Sequence, residues 1–510
     1  MKDRINHFII SIQDSKLPII YFFISFVFVL LIRNFFEIYS DQNCVSLRCF
    51  AHYNYGFFWL ATLLMLVFHL VLKVPMGKVS RLIFAFFAII WVAPLADLII
   101  SSGQEKMSYL EPGRHENLWK HFLTFWGVDD YTTGATTGIR IEVALVLLGC
   151  FYYAKSFLKQ GLIRSLLFIL LVYSSIFLYG MFPFLGTGFL DGFNIYYHGI
   201  TPDLHSDFYL FLIFFNCCFL FYFFNKKYFV EIFKDLRFLR LFYYQLIFVL
   251  GLMFAFNQLE IQQWRLSQTL FFDVFGVLVS IFFSILFSIL VNNTYDLEID
   301  KLTNSQRPSV KGEIPNSTLK SLSIFCLIFA LVYSSHVNFE SLFYILIFTG
   351  IYYLYSAPPL RLKRVPFFSK FLVAINSFVL FILGHYTVAK SLYIPLDIGV
   401  FIILALSLCL HFIDIKDYEG DLNAGIKTLP TLVGLKKAKI YIGLFFILSY
   451  VLAYFPLKKI FNYPSSVLIP LAVLGCLQFY FINRKKYSEI PIFMNFFSTV
   501  IIIYLFQEVL

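Results

Sequence analysis

The chain has little charge. Only 14% of its 510 residues are Asp, Glu, Lys or Arg, whereas 60% are hydrophobic, and its mean hydropathy is +0.78. A water-soluble domain of this length cannot hide that much apolar surface, so a soluble enzyme is excluded and a polytopic membrane protein is implied. Metal-finger spacing is also missing. The eight cysteines form no CxxC pair and no Cys/His pattern, which removes zinc ribbons and thioredoxin-like chemistry. Cys150, Cys217, Cys218, Cys326, Cys409 and Cys476 fall in apolar runs and read as core residues. Cys44 and Cys49 share a polar loop and could pair if that loop faces an oxidising compartment. There is no internal repeat and no low-complexity linker. No small-residue cleavage site follows the first apolar run, about 17–38, which therefore reads as a retained span rather than a signal peptide. The net charge of +10 does not form a nucleic-acid-binding stripe, because the basic residues are scattered through short loops between apolar runs.

About fifteen apolar runs are long enough to cross a bilayer. Six centre near residues 27, 65, 90, 148, 172 and 216, and nine near 247, 281, 328, 348, 380, 403, 447, 473 and 500. With Lys2 and Arg4 placed inside, the basic loops fall on alternate connections: Lys73/Lys78/Arg81, Lys155/Lys159/Arg164, the stretch 226–240, Lys301/Arg307/Lys311, Arg361/Lys363/Arg364, Lys416/Lys427 and Arg484/Lys485/Lys486. That alternation is the positive-inside pattern, and Lys458-Lys459 is its main exception. The basic stretch near 226–240 divides an N-terminal region of about six spans, residues 1–228, from a C-terminal region of about nine, residues 229–510. The expected fold is all-α throughout.

In the N-terminal region the signals are unspecific. Asp97, near the end of the third span, is a functional candidate because intramembrane carboxylates are costly. His115 and its acidic neighbours, including Glu116, read as a solvated outer loop before they read as a metal site. Arg140 and Glu142 read as interfacial, and Asp191, His198 and Asp203 suggest no particular chemistry.

The C-terminal region is organised around two acidic stretches at the ends of apolar runs. In the first, Asn292, Asp296 and Asp300 are spaced i, i+4, i+8, which keeps them on one helical face with a drift of about 40° per step. In the second, Asp414, Asp417 and Asp421 are spaced i, i+3, i+7. Two oxygen-rich faces suit hard cations such as Mg²⁺, which is usually held by a few carboxylates together with substrate phosphates. Basic residues follow the first motif and precede the second. Arg307, Lys311 and Gly312 come after the first, and Tyr355-Ser356-Ala357-Pro358-Pro359-Leu360-Arg361-Leu362-Lys363-Arg364 forms a proline-stiffened turn before the second. Cations beside metal ligands suit a diphosphate, whose oxygens can bridge metals while Arg and Lys neutralise the rest.

These stretches resemble the signatures of the UbiA superfamily of intramembrane prenyltransferases. Asn292 to Gly312 resembles the NxxxDxxxD…RPxxxG motif, Tyr355 to Arg364 the YSxPPxRxKR turn, and Asp414 to Gly434 the second Asp-rich motif, with Gly425, Thr428, Leu429 and Pro430 in place. The resemblance covers about 234–510. It implies a nine-helix bundle around a central cavity that opens laterally to lipid, preceded here by about six further spans. The implied activity is Mg²⁺-dependent transfer of a prenyl group from a prenyl diphosphate to a lipophilic or aromatic acceptor, with the active site on the cytoplasmic side of a bacterial inner membrane. One Mg²⁺ would be held by Asn292, Asp296 and Asp300, and a second by Asp417 and Asp421 with Asp414 nearby. Arg307, Lys311, Lys363 and Arg361 would contact the diphosphate, and Tyr355 would line the cavity. Asn293 stands where many members have Asp, and the family's Arg-Pro before the first helix is absent, leaving Arg237 or Arg240 to substitute. A non-catalytic transporter or lipid-binding scaffold on the same fold is the competing expectation, and would predict eroded ligand sets.

Overall fold

The computed structural model describes residues 2–40, 47–102, 105, 107–112, 117–125, 134–259, 266–297, 300–301, 307, 310–365, 367–423, 425–461 and 463–509. Side chains are described for all of these except 37–40, 47–49, 460–461 and 502–509. Cys44, the Cys49 side chain, His115 and Glu116 lie outside the described residues.

Among the described residues the chain is helical with no β-strand, apart from an isolated bridge between Tyr196 and Ser267. Fourteen helices are long and apolar enough to cross a membrane, and they fall in order on the first fourteen apolar runs. The fifteenth run, within the helix Ile490–Val509, contributes a shorter apolar stretch, Ile490–Ile501. The helices start where the sequence supplies caps. Thr136 accepts a hydrogen bond from the Ile139 N–H at 3.2 Å and Thr201 from the Leu204 N–H at 3.2 Å, while Asn338 caps the helix Phe339–Ser356 through the Ser341 N–H at 2.7 Å. Each cap satisfies an N–H that a helix start leaves open, and this counts for more where water is scarce.

The chain divides into two compact units, Met1–Phe229 with Arg265–Phe272, and Val230–Trp264 with Asp273–Leu510. In the first, the helix Leu47–Leu72 packs along Pro202–Phe224. Aromatic rings fill the seam: Phe182 and Tyr209 stack at 3.7 Å, and Tyr179 stacks on both Tyr209 and Phe57. Asp97 serves the fold here. It is buried, and its carboxylate accepts from the Gly138 N–H at 2.6 Å and from the Thr136 hydroxyl at 2.6 Å, at the start of the helix Thr137–Phe151. Glu142 on that helix returns the interaction, accepting from the Ala93 N–H at 3.1 Å near the start of Val92–Ile100. The two helices thus cap one another with carboxylates, which the positive end of a helix dipole favours. Glycine at 138 makes the approach possible, since a Cβ there would lie 2.2 Å from the Ala93 carbonyl oxygen. Asp97 is therefore accounted for by capping rather than by chemistry at an interface.

The second unit is built on the crossing of Phe238–Gln258 with Phe368–Ala389. A Cβ at Gly251 would lie 2.1 Å from the Phe381 carbonyl oxygen, and one at Gly384 would lie 2.0 Å from the Phe248 carbonyl oxygen. The two glycines let the backbones touch, the usual means of packing helices where lipid removes any hydrophobic drive between them. Of the cysteines read as core, Cys150, Cys326 and Cys409 are buried and Cys217 and Cys218 partly so. Cys476 is exposed instead, on an apolar helix face of the kind that lipid covers.

Candidate active site

The first acidic face forms at the end of a 28-residue helix, Gln268–Tyr295. The Asp296 N–H donates to the Asn292 carbonyl at 2.9 Å and the Asp300 N–H to the Asp296 carbonyl at 2.8 Å. The i→i−4 pattern therefore links all three residues, as their spacing predicts. Asp296 and Asp300 are buried. The basic turn after Ser356 folds onto them. Lys363 donates to Asp296 and, at 3.1 Å, to the Asn292 side-chain oxygen, and Arg361 reaches Asp296 at 3.2 Å. Arg307 pairs with Asp300 and lies 3.4 Å from the Asn293 oxygen. Asn293 also donates to Asp235, so the residue that stands in place of the family's Asp ties Arg307 to an acid from another helix. Arg361 adopts a left-handed backbone, φ 45°.

The second face lies at the end of Leu396–Cys409 and in the short helix Tyr418–Asn423. Asp414 is buried, paired with Lys370 at 2.5 Å, and 3.8 Å from His411. The Asp421 N–H donates to the Asp417 carbonyl at 2.8 Å, which puts these two carboxyls one turn apart. Burial, followed by the neighbouring charges of Asp414 and Asp417, pushes the Asp421 carboxyl up to about 7; Lys370 and Lys363 act against that rise.

The two faces meet at one hollow, whose lining includes Asn292 of the first and Lys370, the partner of Asp414 in the second. Lys363, which holds Asp296, also acts on Asp421 across the site. Arg237 spans the same gap. Burial, then Arg240 and Arg307, lower its guanidinium to about 10, while Asp235 and Asp417 oppose that shift. Burial also lowers the Lys363 ammonium, against the pull of Asp296. Adjoining the charged groups is a cavity of about 100 Å³ lined by Arg237, Arg240, Asn292, Ser356, Tyr355 and Lys370. Aromatic rings continue its wall. Tyr352 lies 6.2 Å from Tyr355 and 5.8 Å from Tyr244, and Tyr243 lies 5.0 Å from Tyr244.

Of the residues singled out from the sequence, Asn292, Asp296, Asp300, Arg307, Arg361, Lys363, Tyr355, Asp414, Asp417 and Asp421 are brought together. Lys311 stands apart, exposed and within electrostatic reach of Glu231. Lys370, Ser356, Asp235 and the tyrosines Tyr244 and Tyr352 were not foreseen. Lys370 had a readable signal, as the sole Lys, Arg, Asp or Glu in the helix Phe368–Ala389; an isolated charge inside a span asks for a partner. Replacing it with methionine would leave Asp414 buried without its ammonium. The expected cost is about 3 kcal/mol, read by thermal unfolding in detergent, with partial recovery when Asp414→Leu is added. Unchanged stability in the single variant would contradict the pairing.

Among the described residues no three Asp, Glu, His or Cys side chains form a ready-made metal cage. The donor set nonetheless fits Mg²⁺, a hard cation that takes one or two carboxylates and completes its shell with water and phosphate oxygens. All donors here are oxygens, and burial, followed by the nearby charges of Asp414 and Asp417, is what raises the Asp421 carboxyl.

The model of the UbiA prenyltransferase family matches residues 246–501, and the chain belongs to that family. It is 27% identical to the digeranylgeranylglyceryl phosphate synthase of Pyrococcus abyssi over 177 residues, 33% of this chain and 59% of that protein. It is 28% identical to the synthase of Thermococcus gammatolerans over 198 residues, 38% and 70% of the respective chains. The chain thus spans only 59% of the length of the Pyrococcus abyssi relative. Among solved structures, a UbiA homolog from Archaeoglobus fulgidus bound to DMAPP and Mg²⁺ shares 21% identity, with a TM-score of 0.42, over 54% of this chain and 98% of that one.

Proposed function

We propose that this protein transfers a prenyl group from a prenyl diphosphate to a lipophilic or aromatic acceptor within the membrane. The observation that carries the reading is the convergence of two acidic faces, linked through Lys363 and Arg237, next to a cavity walled by tyrosines. Asn292, Asp296 and Asp300 would hold one Mg²⁺, and Asp417, Asp421 and Asp414 the other. When bound, Mg²⁺ supplies Lewis-acid stabilisation of charge on the diphosphate oxygens. Lys363, Arg361 and Arg307 already sit on the carboxylates and can share their N–H groups with phosphate oxygens, as charge-assisted hydrogen bonds allow. Lys311 would act at the exposed margin of the loop. As the C–O bond breaks, the electron pair leaves with the diphosphate, where these cations meet it. The allylic carbon would face Tyr355 and its neighbouring rings, whose π-faces attract positive charge and whose bulk excludes water. The acceptor's nucleophilic atom then bonds to that carbon and gives up its proton, which the departed diphosphate can take.

Residues 229–510 would form this catalytic region and 1–228 a separate membrane region. The alternation of basic loops supports a catalytic end on the cytoplasmic side, in what would be a bacterial inner membrane. The names of the archaeal relatives favour a lipid acceptor over an aromatic one.

The test is consumption of geranylgeranyl diphosphate by the purified full chain with membrane lipid extract, followed by mass identification of the product. Turnover is expected with Mg²⁺ and none with excess EDTA. Turnover that persists in EDTA, or in an Asp296→Ala/Asp417→Ala double variant, would overturn the proposal.

A further inference from the structure

Three of the residues that line the tyrosine-walled cavity are cations, Arg237, Arg240 and Lys370, and among the described residues none of its lining is an Asp or Glu. The acids that answer these cations stand behind the wall. Asp235 and Asp417 lie within electrostatic reach of Arg237, and Glu489 lies 3.9 Å from Arg240. Lys370 is bonded to its acid. Its ammonium lies 2.5 Å from Asp414 Oδ1, and the two side chains are only 7% and 10% exposed. The pair is compensated and nearly dry. One member belongs to the second acidic face, and the other borders the cavity.

An ammonium carries three N–H donors on a flexible four-carbon stem. The bond to Asp414 uses one of them, and the stem lets the group turn toward the cavity with no change of backbone. The charges of Asp414 and Asp417 act on Asp421, and Lys370 acts on Asp421 as well. A divalent cation entering among these acids would therefore compete with Lys370 for Asp414. The ammonium it displaced could not reach water from so buried a position, and a buried charge stripped of its partner is strongly destabilising. Metal alone is thus a poor exchange for Asp414. The exchange becomes favourable once an anion in the cavity receives the ammonium, through the charge-assisted hydrogen bonds that phosphate oxygens accept.

We propose that Lys370 couples metal binding to substrate binding: its ammonium is the counter-ion of Asp414 until a divalent cation takes that carboxylate, and it then passes to an oxygen of the substrate's diphosphate. The proposal rests on the prenyl-transfer reading for the identity of that anion. Its consequence is a reciprocal linkage, in which each ligand raises the affinity of the other by the same factor. The site takes up its metal together with the diphosphate rather than ahead of it.

The test is equilibrium dialysis of the full chain in detergent, with Mn²⁺ as the metal at buffered free concentration and labelled inorganic pyrophosphate as the anion. Thermal unfolding of each variant is recorded beside its binding. Lys370→Gln releases Asp414, so Mn²⁺ without pyrophosphate is expected to bind about tenfold more tightly than in the wild type, within the usual range of such couplings. The further gain that pyrophosphate confers on Mn²⁺ is expected to shrink about fivefold. Asp414→Asn gives the converse reading and does not depend on Lys370→Gln folding. It frees the ammonium, so pyrophosphate in EDTA should bind about fivefold more tightly, and the double variant Asp414→Asn/Lys370→Gln should lose that rise. A merely structural pair would shift the unfolding temperature and neither affinity. Mn²⁺ affinity not raised in Lys370→Gln, or pyrophosphate affinity not raised in Asp414→Asn, overturns the proposal and leaves prenyl transfer standing. Wild-type protein that binds no Mn²⁺ even with pyrophosphate overturns both.

Discussion

Asp296→Asn is expected to lower prenyl transfer about 10²–10³-fold or more, the scale seen when one stabilising group is removed from a developing anion. The substitution keeps the side chain's shape and removes its charge. Asp296 bonds both Lys363 and Arg361, while it shares a helical face with Asn292 and Asp300. An amide there weakens metal binding and leaves two half-buried cations without their shared counter-charge. The rate should fall at saturating prenyl diphosphate, and part of the loss should be recovered by raising Mg²⁺. The measurement is kcat against Mg²⁺ concentration for the wild type and the variant. A wild-type rate at every Mg²⁺ concentration would remove Asp296 from the site.

Gly384→Leu is expected to abolish the folded state of the second unit. The Cβ alone would lie 2.0 Å from the Phe248 carbonyl oxygen, and the contact is with backbone, which cannot rotate away. The helices would have to separate, and with them Arg237, Arg240, Tyr243 and Tyr244, which enter the site from the first turns of Phe238–Gln258. A loss beyond about 4 kcal/mol places this among the severest single substitutions. Gly251→Leu meets the Phe381 carbonyl at 2.1 Å and should behave alike. By contrast Gly350→Leu, where a Cβ meets nothing within 4 Å, should fold. Size-exclusion profiles and thermal unfolding of the three variants decide it; a monodisperse, stable Gly384→Leu protein would mean the crossing is looser than the structure describes.

The acidic faces were legible because helical periodicity alone puts Asn292, Asp296 and Asp300 in line, whatever packs around them. The spans were legible because bilayer thickness fixes the length of an apolar run. Partnerships across helices were not. Asp414 was visible, but nothing in the order of residues says that Lys370, 44 positions earlier, closes on it. Asp97 looked like a misplaced charge until a helix start arrived from residues 136–138 to use it. Gly251 and Gly384 sit in apolar runs where a glycine draws no notice, and their role exists only once two backbones meet.

The length of the helix Gln268–Tyr295 has a kinetic consequence. At 1.5 Å per residue its 28 residues reach about 42 Å, against a hydrocarbon core of about 30 Å. The carboxylates at its end would then stand in the headgroup layer, where the proposed prenyl diphosphate would keep its charged end while its tail stays dissolved in oil. On the proposed function, neither end of the reactant would have to change solvent, and the encounter would be a sideways one in two dimensions. Turnover should then follow the mole fraction of substrate in the bilayer, and inert phospholipid added at constant total substrate should slow it by surface dilution.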